Sequence, residues 1–131
     1  MSLSTMRTAD LASLLWVRVL IAAVFVELAV FGVAVLLHPL PASDTVLLYV
    51  VPPACLTVSA CFGFWVARTA QHRHLLHGAL VGVVAALIYI TMTWGKVLPM
   101  AYVASHLLKV IGGALGGVLA GKRSAGTMRC R

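Results

Sequence analysis

The chain has 131 residues, of which 62% are hydrophobic and 10% are charged, and its net charge is +7 at neutral pH. Soluble domains carry about 25% charged residues, so this composition excludes an ordinary water-soluble domain. It predicts an all-helical membrane protein that forms one transmembrane domain over residues 1–131. The basic residues form no stripe with interleaved aromatic residues, so the positive charge does not indicate nucleic-acid binding.

Four apolar runs are each long enough to cross a bilayer core of about 30 Å. The first run contains Arg18 and Glu27 and is longer than the apolar part of a signal peptide, which predicts a retained helix. Pro52 and Pro53 predict either a kink in the second helix or a later helix start. The basic tail after the fourth run is expected to fray. We predict an antiparallel four-helix bundle with spans at 11–37, 46–67, 75–95 and 100–121.

The basic residues outside the runs are distributed unevenly between the two sides of the predicted bundle. Every second loop falls on the same side, so one side carries only Lys96 and the other carries Arg7, Arg68, Arg73, Lys122, Arg123, Arg129 and Arg131. The positive-inside rule then places both termini in the cytoplasm of a multi-pass inner-membrane (plasma-membrane) protein. The candidate lipid-headgroup contacts near the boundary are Arg18, Arg68, Arg73, Lys122 and Arg123.

Glycine residues mark the last helix as a packing surface. At four-residue spacing, one helical ridge consists of Ser105, Lys109, Gly113, Gly117 and Gly121, and the ridge beside it consists of Gly112, Gly116 and Ala120. In lipid, missing side chains let a neighbouring backbone approach closely. Gly78, Gly82 and Ala86 form a third ridge, which is the natural partner on the preceding helix. Packing of the last helix against another subunit is the open alternative.

Glu27 and Lys109 each lie near the middle of a span, where an unpaired charge costs roughly 2.5–3.5 kcal/mol or more. Side chains lean towards the N-terminus of their own helix, so these two lean towards each other and reach similar depth. We therefore predict a buried Glu27–Lys109 contact. His106, one turn before Lys109, is expected either to donate a hydrogen bond to Glu27 or to line a polar pocket with Ser105. Arg18 points to nearly the opposite face of the first helix from Glu27.

No sequence pattern indicates catalysis or a bound cofactor, and the chain contains no nucleophile elbow, P-loop, dinucleotide or zinc-protease motif. The spacing of His72, His74 and His77 is compatible with a metal, but a solvated basic loop is the favoured interpretation. Cys55 and Cys61 are expected to be small buried apolar residues. Three hydroxyl side chains are expected to hydrogen-bond within their own helices: Ser59, Thr91 and Thr93.

Two resemblances suggest different functions. The segment from His77 to Tyr89, followed by His106 to Arg123, resembles a group of small bacterial inner-membrane proteins with four predicted spans, which implies no activity. The W-x-R-V-L sequence at Trp16 adds to this likeness. The architecture is also similar to small multidrug resistance transporters, in which a glutamate in helix one binds protons and cationic drugs, and Glu27 is the matching residue. Lys109 departs from that pattern because it supplies an internal counter-ion.

Two functional hypotheses follow from these patterns. The first is a structural or interaction subunit that self-associates or joins a larger membrane complex, with the lipid bilayer as its surroundings. The second is a small-solute or proton-coupled transporter that uses Glu27, Lys109 and His106. A water-accessible cavity at Glu27 favours transport, whereas a dry core with the pair closed favours a structural role.

Overall fold

The computed structural model describes residues 3–39, 43–70, 73–95 and 100–128. Within them it contains four helices: α1 (Leu3–Leu37), α2 (Ser43–Ala67), α3 (His74–Met92) and α4 (Met100–Met128). Each helix includes a stretch long and apolar enough to cross a membrane: Leu15–Leu37, Thr45–Ala67, His74–Met92 and Tyr102–Arg123. The predicted all-helical fold and multi-pass character are confirmed at this level.

The helices differ from the predicted spans mainly at their ends. α1 begins at Leu3, and α4 continues to Met128, so the expected frayed tail is wrong as far as that residue. Both extensions contain good helix formers such as Ala, Arg, Leu, Lys and Met, which continue a helix already formed in the apolar span. α3 ends at Met92, and Gly95 with φ 84° lies in the turn that follows.

α2 is continuous through both of its prolines, so the alternative of a later helix start is wrong. Each proline removes one backbone N–H and leaves an earlier carbonyl without its helical partner. The hydroxyl of Thr57 donates a hydrogen bond to the Pro53 carbonyl oxygen at 2.6 Å. The carbonyls that lose their partners lie four residues before each proline, at Leu48 and Tyr49, so this bond does not replace theirs. Packing against neighbouring helices is what lets a membrane helix tolerate proline. The sequence also predicts that Ser43 or Asp44 caps the start of the second helix, but both lie outside the residues whose side chains are described.

α2 and α3 form the middle of the bundle. α4 packs against both of them along most of its length, and α1 also packs against both. Within the described residues, α1 and α4 do not pack directly against each other. The bundle therefore has α1 and α4 at opposite corners, which matters for any side chain that connects them.

The glycine ridges of α4 are buried inside the chain. A β-carbon on Gly78 would meet the backbone of Gly113 and Gly117, and one on Gly82 would meet the Lys109 carbonyl. The predicted pairing of the α3 ridge with α4 is therefore found. On its other side, α4 contacts α2 through Gly112 and Gly116, which face the backbone of Leu56, Ala60 and Phe64. These approaches exclude any larger side chain, because the neighbouring atoms belong to backbone.

α1 is held by a different kind of surface. Its buried residues follow the helical spacing i, i+3, i+4 and i+7, and they are Val19, Ala22, Ala23 and Val26. They join Val66, Val81 and Ala85 in one apolar cluster. Next to this cluster, the Phe25 and Phe62 rings stack with their centroids 6.1 Å apart. α1 therefore docks through small aliphatic side chains rather than through bare backbone.

Candidate functional site

The predicted ion pair is present in the middle of the bundle. Lys109 Nζ donates to Glu27 Oε1 at 2.6 Å. The Lys109 side chain is 2% exposed, and that of Glu27 is 16% exposed. The Lys109 ammonium also lies 5.4 Å from the centre of the Tyr89 ring, within reach of a cation–π interaction. The lysine is therefore more deeply buried than the carboxylate.

The fold explains how α1 and α4 are joined although they do not pack together. Gly82 lets α4 approach α3 at the Lys109 backbone. Tyr89 lies seven residues after Gly82, two helical turns along the same face of α3, and so reaches the ammonium. From α4, the long lysine side chain crosses the bundle to Glu27 on α1. Three of the four helices thus contribute to one charged centre.

A pocket of about 790 Å³ reaches this ion pair. Its walls come from residues 27–34 of α1, 47–55 of α2, 89–93 of α3 and 102–109 of α4, and we call this part of the bundle the pocket half. Most of the lining is apolar, and its polar side chains are Glu27, Tyr89, Thr93, Tyr102, Ser105, His106 and Lys109. This volume and this mixture of apolar walls with a few polar groups are typical of small-molecule sites.

The pocket exists because the two halves of the bundle pack differently. In the glycine half, defined by Gly63, Gly78, Gly112, Gly116 and Gly117, backbones are in contact and leave little space. In the pocket half, the lining includes aromatic rings from Phe31, Tyr89, Tyr102 and His106 together with the Pro52 ring. Large side chains hold the helices apart, and the space between them is not filled.

His106 does not donate to Glu27, so the first expectation for this residue is not what the structure shows. Its ring packs against Tyr89 with the centroids 4.5 Å apart. Both ring nitrogens are buried and have no hydrogen-bond partner among the described residues. His106 and Ser105 do line the same pocket, as the second expectation required. The imidazole therefore offers unused hydrogen-bonding capacity beside the ion pair.

The remaining candidates lie elsewhere. Arg18 is half-buried and does not line the pocket, whereas Arg68, Arg73, Lys122 and Arg123 are exposed, as headgroup contacts require. Contact of these side chains with lipid stays a prediction. The Arg68 guanidinium lies 5.8 Å from the centre of the Phe64 ring. Arg7, Lys96, Arg129 and Arg131 lie outside the residues whose side chains are described.

The two described histidines of the 72, 74 and 77 set lie next to backbone carbonyl oxygens. His74 Nδ1 lies 2.7 Å from the Ala67 carbonyl oxygen, and His77 Nδ1 lies 3.1 Å from the Arg73 carbonyl oxygen. Arg73 adopts a left-handed conformation with φ 58° where α3 begins. His74 thus connects the start of α3 to the end of α2, which the sequence pattern did not reveal. His72 lies outside the described residues.

The predictions for the small polar residues and the cysteines are confirmed only in part. Thr91 donates to the Leu87 carbonyl at 2.6 Å and Thr93 to the Tyr89 carbonyl at 2.9 Å, as predicted. The Ser59 hydroxyl is buried and has no partner among the described residues, so the prediction is wrong for this residue. Cys55 is buried and lines the pocket, but Cys61 lies on a different face of α2 and is exposed, so the prediction of burial is wrong for Cys61. Cys130 lies outside the described residues.

Sequence reasoning missed the role of Tyr89. The signal was available, because positions 78, 82 and 89 lie on one face of a helix, and that face was already identified as a packing surface. No protein-family model, curated protein or solved structure matches the chain. The two resemblances given above remain expectations.

Proposed function

We propose that the chain is a small multi-pass protein of the bacterial inner membrane that binds a small solute in the pocket beside Glu27 and Lys109, as a transporter does. This is the second of the two hypotheses from the sequence. One observation carries it: a pocket of about 790 Å³ reaches a buried ion pair, and its polar groups are concentrated at that pair. A pair needed only for packing does not require such a cavity.

We also propose an antiparallel bundle with both termini in the cytoplasm. The contacts along the helices support it: Gly78 faces Gly117, whereas Gly82 faces Lys109, so position rises along α3 as it falls along α4. The uneven distribution of basic residues supports the orientation. With this orientation, the pocket half faces away from the cytoplasm.

The glycine contacts weaken the first hypothesis. The glycine ridges of α4 suggested self-association, but α2 and α3 of the same chain cover them. The surface that motivated an oligomer is thus mostly used inside the monomer. A solute-binding role does not depend on that surface.

Water access to the pocket is testable with two matched serines. Ser105 lines the pocket, and Ser59 is buried in α2 without lining it. In a background that lacks the native cysteines, we expect Ser105→Cys in proteoliposomes to react with a small charged methanethiosulfonate. Ser59→Cys is expected to stay unlabelled, because the glycine half leaves no path for water. Mass spectrometry of the intact protein measures both reactions. If both cysteines stay unlabelled in folded protein, the pocket is dry and the solute-binding proposal is wrong.

A second candidate function, a subunit of a homo-oligomer or larger complex, is favoured by Gly32. A β-carbon there would meet no atom of the described residues within 4 Å, so this glycine of α1 makes no close contact with that part of the chain. Bare backbone on an outward face suits contact with another helix.

The oligomer candidate predicts a change in mass. In mild detergent, native mass spectrometry should show a dimer or a larger assembly, and Gly32→Leu should convert it to the monomer without loss of helical content. Leucine blocks close approach at this surface, and its β-carbon would meet no described atom within 4 Å. A wild-type monomer with nothing attached would contradict the candidate.

A further inference from the structure

The ion pair has two unequal partners, and this asymmetry indicates which ligand charge the pocket accepts. Resting on the proposed solute-binding function, we infer that the site takes the anionic head of a lipophilic acid onto Lys109 and His106 while Glu27 takes up a proton. The ligand class is a monoanion with an apolar body, such as a medium-chain or aromatic carboxylate.

The first argument concerns what each partner keeps when the pair opens. Lys109 retains the Tyr89 ring 5.4 Å from its ammonium and stays enclosed, with 2% of its side chain exposed. Glu27 has Lys109 as its only hydrogen-bond partner among the described residues and borders the pocket with 16% of its side chain exposed. A carboxylate in an apolar site that loses its counter-ion becomes neutral by protonation. Opening therefore leaves a cationic lysine and a neutral Glu27.

The second argument concerns His106. Its ring nitrogens have no partner among the described residues, and its ring packs on Tyr89, which the Lys109 ammonium also approaches. His106 and Lys109 are three positions apart on α4, so they are neighbours on the helix surface. A neutral imidazole has one N–H to donate. An acid anion at Lys109 can accept this bond as well as the lysine bond, so one head group satisfies both residues. A cationic ligand offers no acceptor to either of them.

The charges balance in this exchange. Before binding, the ionised Glu27 and Lys109 sum to zero. Afterwards, neutral Glu27, cationic Lys109 and the anion also sum to zero, since one proton from water has moved to the glutamate. The low-dielectric site never holds a net charge, which keeps the cost of burial small. The apolar walls of the pocket then accommodate the ligand body.

The titratable groups around Glu27 come from the other three helices that line the pocket. They are Cys55 on α2, Tyr89 on α3, and Tyr102, His106 and Lys109 on α4. Lys109 is the group in direct contact with Glu27. The carboxyl group is therefore the natural acceptor for a proton that enters as this contact breaks.

Two permanently charged probes with the same tail test the inference. Decanesulfonate stays anionic and decyltrimethylammonium stays cationic at every working pH, so any proton taken up belongs to the protein. Binding to the full-length chain in lipid nanodiscs is measured by isothermal titration calorimetry. Empty nanodiscs and the uncharged double variant Glu27→Gln/Lys109→Met supply the baseline.

For wild type, we expect sulfonate affinity to rise about tenfold for each unit of pH lowered, because one proton is taken up per ligand. Glu27→Gln imitates the protonated residue, so it should bind sulfonate without pH dependence and be stabilised by it. Lys109→Met should lose sulfonate binding. His106→Phe keeps the stacking on Tyr89 but loses the donor, and should weaken binding by about three- to tenfold.

Sulfonate binding to wild type that does not depend on pH would overturn the inference even if every variant failed to fold. Binding of the ammonium probe instead of the sulfonate would overturn it and leave the proposed solute site standing. If neither probe binds above the baseline, the inference is also wrong. In that case the labelling of Ser105→Cys decides separately whether the pocket is open to water for another solute.

Discussion

Replacing Gly116 by alanine is expected to destabilise the bundle by at least about 2 kcal/mol, although alanine is a better helix former than glycine. The added β-carbon would contact the Ala60 carbonyl oxygen and would lie 2.6 Å from the Phe64 backbone nitrogen. Both atoms belong to the α2 backbone, so no side chain can rotate away. α4 must separate from α2, and contacts along both helices are lost. Thermal unfolding in mild detergent, followed by tryptophan fluorescence, measures the effect.

Gly121 provides a matched control for this substitution on the same helix. A β-carbon there lies 3.5 Å from the His74 ring, which is ordinary van der Waals contact. Gly121→Ala should therefore be neutral or stabilising by up to about 1 kcal/mol, as helix propensity requires. The same glycine-to-alanine change is thus expected to lower stability at position 116 and to leave it unchanged or raise it at position 121. Equal effects at the two positions would show that α4 does not pack on α2 as described.

Separating the ion pair is expected to have the largest effect on stability. Removing one partner of a buried pair costs about 3–5 kcal/mol, because the other charge is left without compensation. Glu27→Gln should cost more than Lys109→Met. The first change leaves a lysine side chain that is 2% exposed without its partner, whereas the second leaves a carboxylate that borders the pocket and is 16% exposed. The more deeply buried charge is the costlier one to leave unpaired. The double variant should be more stable than Glu27→Gln alone.

A double-mutant cycle on these three variants measures the coupling between the two residues. Additive losses would mean that the pair does not form in the membrane. Lys109→Leu is a useful companion to Lys109→Met, since its shorter side chain leaves space beside Tyr89. If both lysine variants behave alike, charge rather than volume accounts for the loss.

The ion pair and the α3–α4 contact were predictable from sequence for a specific reason. Each depends on periodicity along a helix and on depth in the membrane, and both can be counted from residue positions. Lys109 and Glu27 fall at similar depth, and Gly78 and Gly82 recur at the spacing of one helical ridge. Depth and periodicity can be counted without knowing which helices are neighbours in the plane of the membrane.

The lateral arrangement was not predictable. In lipid, the outside of a helix is as apolar as its buried face, so sequence hydrophobicity does not show which side packs. Gly112 and Gly116 were correctly placed on one ridge, but nothing in the sequence identified α2 as their partner. The separation of α1 from α4, and hence the pocket between them, depends on that arrangement. Helix ends were also missed: Gly121 followed by Lys122 and Arg123 is a typical stop signal, yet α4 continues to Met128.

The absence of direct packing between α1 and α4 has a mechanical consequence. α4 is fixed to α2 and α3 by contacts between backbone atoms, so no side-chain rotation can loosen them. α1 is docked by methyl groups and one aromatic stack, and its hydrogen-bonded connection to α4 among the described residues is the salt bridge. Removing the charge of Glu27 would break this salt bridge between α1 and α4. α1 would then be the one helix able to tilt, while the other three remain a rigid frame.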